Sequence, residues 1–266
     1  MEAKSHILKL GLIGSNIAHS ESPAIFKKAH PDWTYNLIDV KNFREGFEIF
    51  LNEGYDAVNV TAPYKTEAFE SADSADTLCE IIGASNLLIR EEGKTRAYNT
   101  DVIGATTCLK SVLKRFDCND TKKIKVLVMG LGGAGKAATA ASLMLGFETS
   151  VINRSYETTQ KFQERLSKGI TETDNSGKAI SKYTLDGLKI DDINREGFLL
   201  REIIKDHDII IYTLPLGFSF LERIDFSDKA VIEANYHSPS FPNLKCKYYV
   251  NGRIWLQAQA QPLLSL

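Results

Sequence analysis

The segment Gly130–Gly135, with the sequence GLGGAG, is the feature that most constrains how this chain can fold. It follows an apolar, β-branched run, Ile124–Met129, and precedes an alanine-rich stretch, Ala137–Leu145, that is typical of a helix. Glycines between a strand and a helix permit a tight turn and let backbone N–H groups approach a pyrophosphate at the helix N-terminus. A GxGxxG match in this context predicts a dinucleotide-binding unit. Most of the first hundred residues remain for another task, and we expect them to bind the substrate.

The next apolar run, Thr149–Ile152, ends in the tripeptide Asn153–Ser155, which indicates the choice of dinucleotide. NAD-selective sites usually place Asp or Glu here to accept a hydrogen bond from the ribose 2′-OH. This chain has Arg154 and Ser155 instead, and a guanidinium beside a hydroxyl suits a dianionic 2′-phosphate. The pattern favours NADP over NAD, with an ordinary exposed arginine at a strand end as the alternative explanation of Arg154.

Composition excludes several classes of protein. The 266 residues suffice for two domains, and the contents of 43% hydrophobic and 25% charged residues are ordinary for a globular protein. The net charge of −2 gives no electrostatic reason to expect binding to nucleic acid or to an anionic membrane. No transmembrane-length window and no signal-peptide core are found, so we expect a cytoplasmic protein. The four cysteines are scattered without metal-ligand spacing, which predicts reduced thiols and no metal site.

Strand-like and helix-like patterns alternate along the chain, which predicts an α/β fold. We expect an N-terminal domain over residues 1–102 and a Rossmann-like domain over residues 103–251, with a cleft between them. The C-terminal helix, residues 252–266, is expected to complete the first domain, although Pro262 should interrupt it. Further expectations are a helix with Ser22 as N-cap and Pro23 at its first position, and a helix over Ser74–Ile82.

Polar side chains occupy three loops that follow predicted strands of the first domain. These loops are Gly14–Pro23, Asn59–Lys65 and Tyr98–Asp101. Ligands of open α/β sheets bind beyond the carboxyl ends of strands, so we expect the three loops to converge on one crevice. Their hydroxyl and amide groups suit a polyhydroxylated acid.

Taken in order along the chain, these motifs resemble those of the shikimate dehydrogenase family. The motifs that carry the resemblance are His19–Pro23, Asn59–Lys65, Gly83–Asn86, Asn99–Asp101, GLGGAG at Gly130–Gly135, and Asn153–Ser155. The resemblance implies an NADP-dependent oxidoreductase of aromatic amino acid biosynthesis that interconverts 3-dehydroshikimate and shikimate. It implies a small-molecule substrate, no nucleic acid or membrane partner, and a monomer or homodimer.

The resemblance also assigns roles to individual positions. Lys65 matches the catalytic lysine and Asp101 its carboxylate partner. A cationic lysine beside the carbonyl oxygen can stabilise the charge that hydride delivery creates or supply a proton, and an aspartate favours the charged lysine. The substrate-binding positions are Ser20, Ser22, Thr61, Asn86, Tyr236 and Gln259. The cofactor-binding positions are Gly130, Gly132, Gly133, Ala134, Asn153, Arg154, Ser155 and Gly252.

Simpler explanations and departures from the family pattern leave alternatives open. Lys65 is also explained as a solvated residue that opens a helix, and Asp101 as the N-cap of a helix that starts at Val102. Trp255 stands where the family has a methionine expected to touch the nicotinamide. One alternative function is an NAD-dependent quinate/shikimate dehydrogenase, against which Arg154 argues. The other is a catalytically impaired shikimate-binding homologue, against which Lys65 and Asp101 argue.

Overall fold

The computed structural model describes residues 7–115, 124–169, 187–189, 197–215, 221, 223–240 and 244–265. Contacts divide the chain into two compact units. The first comprises the described residues of Met1–Thr100 and Ala260–Leu266, and the second those of Asp101–Gln259. Each unit contains a six-stranded sheet together with helices, so the predicted α/β fold class is confirmed. The domain limits given above stay a prediction.

The first unit has a mixed sheet. Its strands are β1 (Lys9–Gly14), β2 (Thr34–Asp39), β3 (Ala57–Val60), β4 (Ser74–Ala75), β5 (Leu87–Glu91) and β6 (Lys94–Tyr98). Its helices are α1 (Ser22–Ala29), α2 (Phe43–Asn52), α3 (Lys65–Ser71) and α4 (Thr77–Ile82). The strand order is β2-β1-β3-β5-β6-β4, with β1 parallel to both neighbours and β5 antiparallel to both of its own. The carboxyl ends of β1, β2 and β3 therefore meet at one edge, where polar loops follow them.

Two predicted helix starts in this unit are wrong. The carbonyl of Glu21, not that of Ser22, accepts the first helical bond, from Ile25 N–H at 3.2 Å, so α1 already includes Ser22. The segment predicted as one helix over 74–82 begins as β4, which pairs in parallel with β6. Helix α4 starts only after Asp76, whose side chain accepts from Cys79 N–H at 2.6 Å. The free edge of β6 supplies backbone partners that a local pattern does not show.

The second unit has a fully parallel sheet. Its strands are β7 (Lys125–Met129), β8 (Glu148–Asn153), β9 (Gly187–Lys189), β10 (Ile209–Tyr212), β11 (Phe226–Glu233) and β12 (Cys246–Val250). The helices assigned to the rest of the described chain are α5 (Asp101–Leu113), α6 (Gly133–Met144), α7 (Tyr156–Gly169), α8 (Gly197–Lys205) and α9 (Gly252–Leu264). The order β12-β11-β10-β7-β8-β9 is that of the doubly wound dinucleotide-binding fold. Its direction reverses between β7 and β10, which is where ligands of such sheets bind.

Helix α9 continues through Pro262 to Leu264, so the predicted interruption at Pro262 is wrong. A proline inside a helix removes one backbone hydrogen bond. Burial offsets that loss, because Ala260 and Leu263 are only 5% and 1% exposed. They pack into one apolar core of the first unit with Leu8, Leu10, Phe26, Ala57 and Leu87. A ring nitrogen of His30 lies 2.9 Å from the carbonyl oxygen of Leu264 and holds this last turn.

Candidate functional site

Backbone hydrogen bonds join the polar loops of the first unit. Thr61 N–H donates to the carbonyl of Ile13 at 2.9 Å. A Cβ on Gly14 would lie 2.5 Å from Cγ2 of Thr61, so the loops after β1 and β3 touch directly. The carbonyl of Lys65 accepts from Ser85 N–H at 2.7 Å. The loop after β3 is therefore fixed between the loop after β1 and the segment that leads into β5.

That segment ends in Asn86, which is 2% exposed and held in one orientation. Its Nδ2 donates to Oγ1 of Thr100 at 2.9 Å, and its Oδ1 accepts from Thr100 N–H at 2.7 Å. Its carbonyl accepts from Asn59 Nδ2 at 3.3 Å, and Asn59 in turn accepts from the Tyr35 hydroxyl at 2.9 Å. A carboxamide has two N–H donors and two acceptor lone pairs, so the bonds to Thr100 use half of the capacity of the Asn86 side chain. The predicted substrate-binding positions Thr61 and Asn86 and the predicted catalytic Lys65 thus belong to one hydrogen-bonded loop system.

The loop after β1 carries Ser20 and Ser22 and is held by an acidic residue that the sequence analysis missed. Asp39, at the end of β2, accepts from Asn16 N–H at 2.8 Å through Oδ1 and from Ile17 N–H at 3.2 Å through Oδ2. Ser20 is half-buried, and its Oγ accepts from the N–H of the buried Ser22 at 3.3 Å. An aspartate directly after an apolar strand was the available signal for this loop-holding role.

Lys65 is the first residue of α3 and is half-buried. Tyr64, just before it, is 5% exposed and donates its hydroxyl to the carbonyl of Val40 at 2.9 Å. A lysine at a helix N-terminus lies at the positive end of the helix dipole, where a positive charge is unfavourable. Lys65 therefore opens α3, and Tyr64 anchors the loop that carries it.

In the second unit the glycine segment follows β7 and has a conformation that requires glycine. Gly130 has a φ of +96°, and its N–H donates to the carbonyl of Ile152 at 2.8 Å. A Cβ on Gly135 would lie 2.0 Å from the carbonyl oxygen of Gly130. The hydroxyl of Thr213, which follows β10, donates to the same oxygen at 3.2 Å. The loop is thus fixed between the two strands at which the sheet order reverses.

The N-terminus of α6 is open toward that loop. Gly132 precedes the helix without a side-chain cap, and no acidic residue occupies the first turn. A Cβ on Gly132 would meet no atom within 4 Å. The first N–H groups of a helix have no partner within the helix and lie at the positive end of its dipole. The backbone at the predicted positions Gly132, Gly133 and Ala134 therefore fits the phosphate groups of a dinucleotide.

The predicted 2′-phosphate loop lies beside the glycine segment, because Gly130 bonds to the strand that ends in it. Ser155 caps α7, since its Oγ accepts from Thr158 N–H at 3.2 Å. Asn153 Nδ2 donates to the carbonyl of Ser155 at 3.0 Å. Arg154 is exposed at the turn that these two bonds shape. Asn153 and Ser155 therefore stabilise the conformation of the loop, and the Arg154 side chain between them is exposed to solvent.

Asp101 is the first residue of α5 and is 2% exposed. The helix includes it, so the alternative in which Asp101 only caps a helix from Val102 is off by one residue. Its Oδ1 accepts from the indole N–H of Trp255, on α9, at 3.1 Å. Burial raises the pKa of Cys108, two turns further along α5, to about 12, so that thiol stays neutral at physiological pH.

The loop after β11 carries Tyr236, which is half-buried. Glu233, fully buried at the end of β11, accepts from the Tyr249 hydroxyl at 2.6 Å and from the backbone N–H of Ser240. Burial and the hydrogen bond to Glu233 raise the pKa of Tyr249, so this phenol remains a donor. Asn235 Nδ2 donates across the same loop to a backbone carbonyl at 2.7 Å. The loop that carries Tyr236 is thus closed by side chains at both of its ends.

The remaining predicted positions lie on α9. Gly252 begins the helix, and a Cβ there would lie 2.4 Å from the carbonyl oxygen of Ala234. Gln259 is half-buried on the same helix. Within the described residues, no group of three or more His, Cys, Asp or Glu side chains could hold a metal ion, and no helix is long and apolar enough to cross a membrane.

Comparison with known proteins assigns the chain to a family. The model of the shikimate dehydrogenase substrate binding domain matches residues 12–88, and that of the alanine dehydrogenase/PNT C-terminal domain matches residues 114–216. The shikimate dehydrogenase (NADP(+)) of Ignicoccus hospitalis is 32% identical over 211 residues, which cover 77% of this chain and 68% of that protein. The chain belongs to the shikimate dehydrogenase family. The shikimate dehydrogenase (NADP(+)) of Halothermothrix orenii is 27% identical over 260 residues, which cover 92% of this chain and 83% of that protein.

A solved structure of the shikimate dehydrogenase family matches this chain in fold. The structure of shikimate 5-dehydrogenase from Listeria monocytogenes in complex with shikimate and NAD matches with a TM-score of 0.72 and 21% identity. The match covers 100% of this chain and 93% of that one. At this identity the similarity shows the fold alone.

Sequence reasoning noticed Trp255 only as a departure from the shikimate dehydrogenase pattern and missed its contact with Asp101. The two residues are 154 positions apart, so no local pattern could join them. The available signal was Gly104, a glycine inside a predicted helix, which usually has a packing reason.

Proposed function

We propose that the chain is an NADP-dependent shikimate dehydrogenase that interconverts 3-dehydroshikimate and shikimate. The observation that carries this proposal is the bonded loop system of the first unit, which holds Thr61, Lys65 and Asn86 in a chain of this family. The relatives from Ignicoccus hospitalis and Halothermothrix orenii are both named shikimate dehydrogenase (NADP(+)). The glycine segment at the reversal point of the second sheet supplies the place for the dinucleotide.

The loops of the first unit suit a hydroxylated carboxylic acid. The hydroxyls of Ser20 and Ser22 are proposed to donate to the substrate carboxylate. Thr61 and Asn86 offer donors and acceptors in pairs, which is what ring hydroxyls need. Asp101, Tyr236 and Gln259 are proposed to complete the substrate contacts. Asp101 is proposed to accept a hydrogen bond from a ring hydroxyl of the substrate, in addition to its pairing with Lys65.

Lys65 and Asp101 are proposed as the acid–base pair. When bound, NADP(H) supplies or accepts the hydride. In reduction, the Lys65 ammonium stabilises the negative charge that develops on the carbonyl oxygen and delivers a proton from Nζ to it. In oxidation the neutral amine takes that proton back. The Asp101 carboxylate favours the charged form of the lysine and orients it.

The glycine segment yields a prediction that separates cofactor binding from folding. Gly132→Ala is expected to change the free energy of unfolding by less than about 1 kcal/mol. Its φ of −73° suits alanine and its Cβ meets no atom, which offsets the weaker preference for alanine at an N-cap. The same methyl would occupy the approach of the phosphates and raise the KM for NADP+ by about tenfold or more. Gly135→Ala is the contrasting variant, since its Cβ would overlap a carbonyl oxygen; we expect it to lower the free energy of unfolding by about 1–3 kcal/mol. A wild-type KM for NADP+ in Gly132→Ala would remove this segment from the cofactor site.

Arg154 is expected to set the preference for NADP. Arg154→Ala removes a charge-assisted, forked donor, so the KM for NADP+ should rise by about tenfold to a hundredfold. The kcat/KM for NAD+ should change by less than about threefold, because NAD lacks the 2′-phosphate. Arg165→Ala, which removes an exposed arginine from α7, is the matched control and should change neither value. Equal losses with both cofactors would contradict the proposed role of Arg154.

The proposed function is tested by the absorbance of reduced nicotinamide after the protein is mixed with shikimate and NADP+. Parallel reactions contain NAD+ in place of NADP+, and quinate in place of shikimate. Turnover with shikimate and NADP+ alone supports the proposal. Turnover with NAD+ and quinate would favour the quinate/shikimate enzyme. Binding of shikimate by calorimetry without any turnover would show a catalytically impaired homologue.

A further inference from the structure

A buried contact joins α9 to α5 within the second unit. Nε1 of Trp255 donates to Oδ1 of Asp101 at 3.1 Å, and the two residues are 3% and 2% exposed. An indole N–H can only donate, so the carboxylate oxygen is necessarily the acceptor. A hydrogen bond to a charged acceptor in such a buried place is among the stronger kinds in proteins.

Gly104 provides the space that this contact needs. It lies three residues after Asp101 on α5, so both occupy one face of the helix. A Cβ at Gly104 would lie 2.4 Å from Cδ1 and 2.7 Å from Nε1 of Trp255. Only a residue without a side chain lets the pyrrole edge of the indole lie against the α5 backbone and reach Asp101.

The contact restricts the reacting carboxylate. With Oδ1 bound to a rigid and buried ring, Asp101 cannot rotate freely about its side-chain bonds, and Oδ2 is directed by the same constraint. A side chain without an N–H donor at position 255 could not make this bond. The arrangement is therefore a property of Trp255 and Gly104 in this chain.

We propose that Trp255 is a positioning residue that holds the Asp101 carboxylate in its working orientation, and that Gly104 is the space that admits it. The proposal rests on the proposed function, in which Asp101 is the partner of Lys65. Trp255 acts through Asp101, so removing the indole N–H should reduce kcat more than it changes the KM for shikimate.

The contact itself is tested by fluorescence, without any need for turnover. The chain has two tryptophans, Trp33 and Trp255, so in a Trp33→Phe background all indole emission comes from Trp255. Excitation moves electron density from the pyrrole to the benzene ring, so a negative charge beside the N–H stabilises the excited state. Asp101→Asn removes that charge, and we expect the emission maximum to move to shorter wavelength. Asp206→Asn, at an exposed ion pair with Lys125, is the matched control and should leave the maximum unchanged. An unchanged maximum in Asp101→Asn would overturn the contact.

The positioning role is tested by kinetics. Trp255→Phe keeps an aromatic ring but lacks the donor, and kcat should fall about tenfold. The shikimate KM should rise by less than about threefold, through the ring hydroxyl that Asp101 is proposed to bind. Trp33→Phe, the same substitution elsewhere, should keep the wild-type kcat. Gly104→Ala retains both partners but displaces the indole, so it should reproduce the fall in kcat and, in the Trp33→Phe background, the emission shift. This variant keeps the test valid if Trp255→Phe folds poorly.

The outcomes separate the two proposals. Wild-type kcat in folded Trp255→Phe and Gly104→Ala overturns the positioning role, even where the emission shift is present. A wild-type chain that oxidises no shikimate overturns the proposed function, and the emission of Asp101→Asn then still supports or overturns the contact.

Discussion

Replacing Lys65 with alanine is expected to lower kcat for shikimate oxidation by roughly a hundredfold to ten-thousandfold, the range typical of a lost acid–base group. The KM values for shikimate and NADP+ should stay within about threefold, because the proton moves only in the chemical step. Steady-state absorbance of reduced nicotinamide measures all three values. The half-buried place of Lys65 at the start of α3, on a loop tied to Ser85, keeps the neighbouring binding residues in position in the variant.

Two controls make the Lys65 result specific. Lys94→Ala removes an exposed lysine from the β5–β6 hairpin of the same unit and should keep the wild-type kcat. The free energy of unfolding of Lys65→Ala should stay within about 1 kcal/mol of wild type, because relief at the positive end of the helix offsets part of the lost charge pairing. An unchanged kcat in the variant would exclude Lys65 from the acid–base chemistry.

Leu263→Ala is expected to lower the free energy of unfolding by about 2–5 kcal/mol, the usual cost of a cavity at a fully buried leucine. Leu263 is 1% exposed and packs with Leu10 and Phe26 in an apolar core of the first unit. Denaturation in urea, followed by circular dichroism and, in a Trp255→Phe background, by the emission of Trp33, measures the change. Trp33 packs against the same core and therefore reports on its unfolding.

Ile254→Ala is the matched control for this core. Ile254 lies on the same helix, α9, but is 41% exposed, so the loss should be below about 1 kcal/mol. A similarly small loss in Leu263→Ala would show that the last turn of α9 contributes little to the core of the first unit.

Local chemistry determined much of the fold and part of the candidate site. The short apolar run Ala57–Val60 forms β3. Helix α2 begins at Phe43, directly after Asn42, whose side chain accepts from Glu45 N–H at 3.0 Å. The tight turn at the glycine segment could be predicted from the sequence, because Gly130 has a positive φ and Gly135 allows a close backbone approach. Glycine is the residue type that meets both requirements. The grouping of polar loops followed from the rule that the carboxyl ends of parallel strands share one edge.

Tertiary structure decided what depends on partners far away in the chain. Ser74 and Ala75 became a strand because the edge of β6 offered them hydrogen bonds, and α9 continued past Pro262 because the burial of Leu263 offset the lost bond. The contact between Trp255 and Asp101 also needs a glycine on another helix to admit the indole. Helix propensity and capping depend on residues a few positions apart, so a short stretch of sequence is enough to predict them. Packing and burial depend on which distant segments of the chain meet, and a short stretch of sequence does not contain that information.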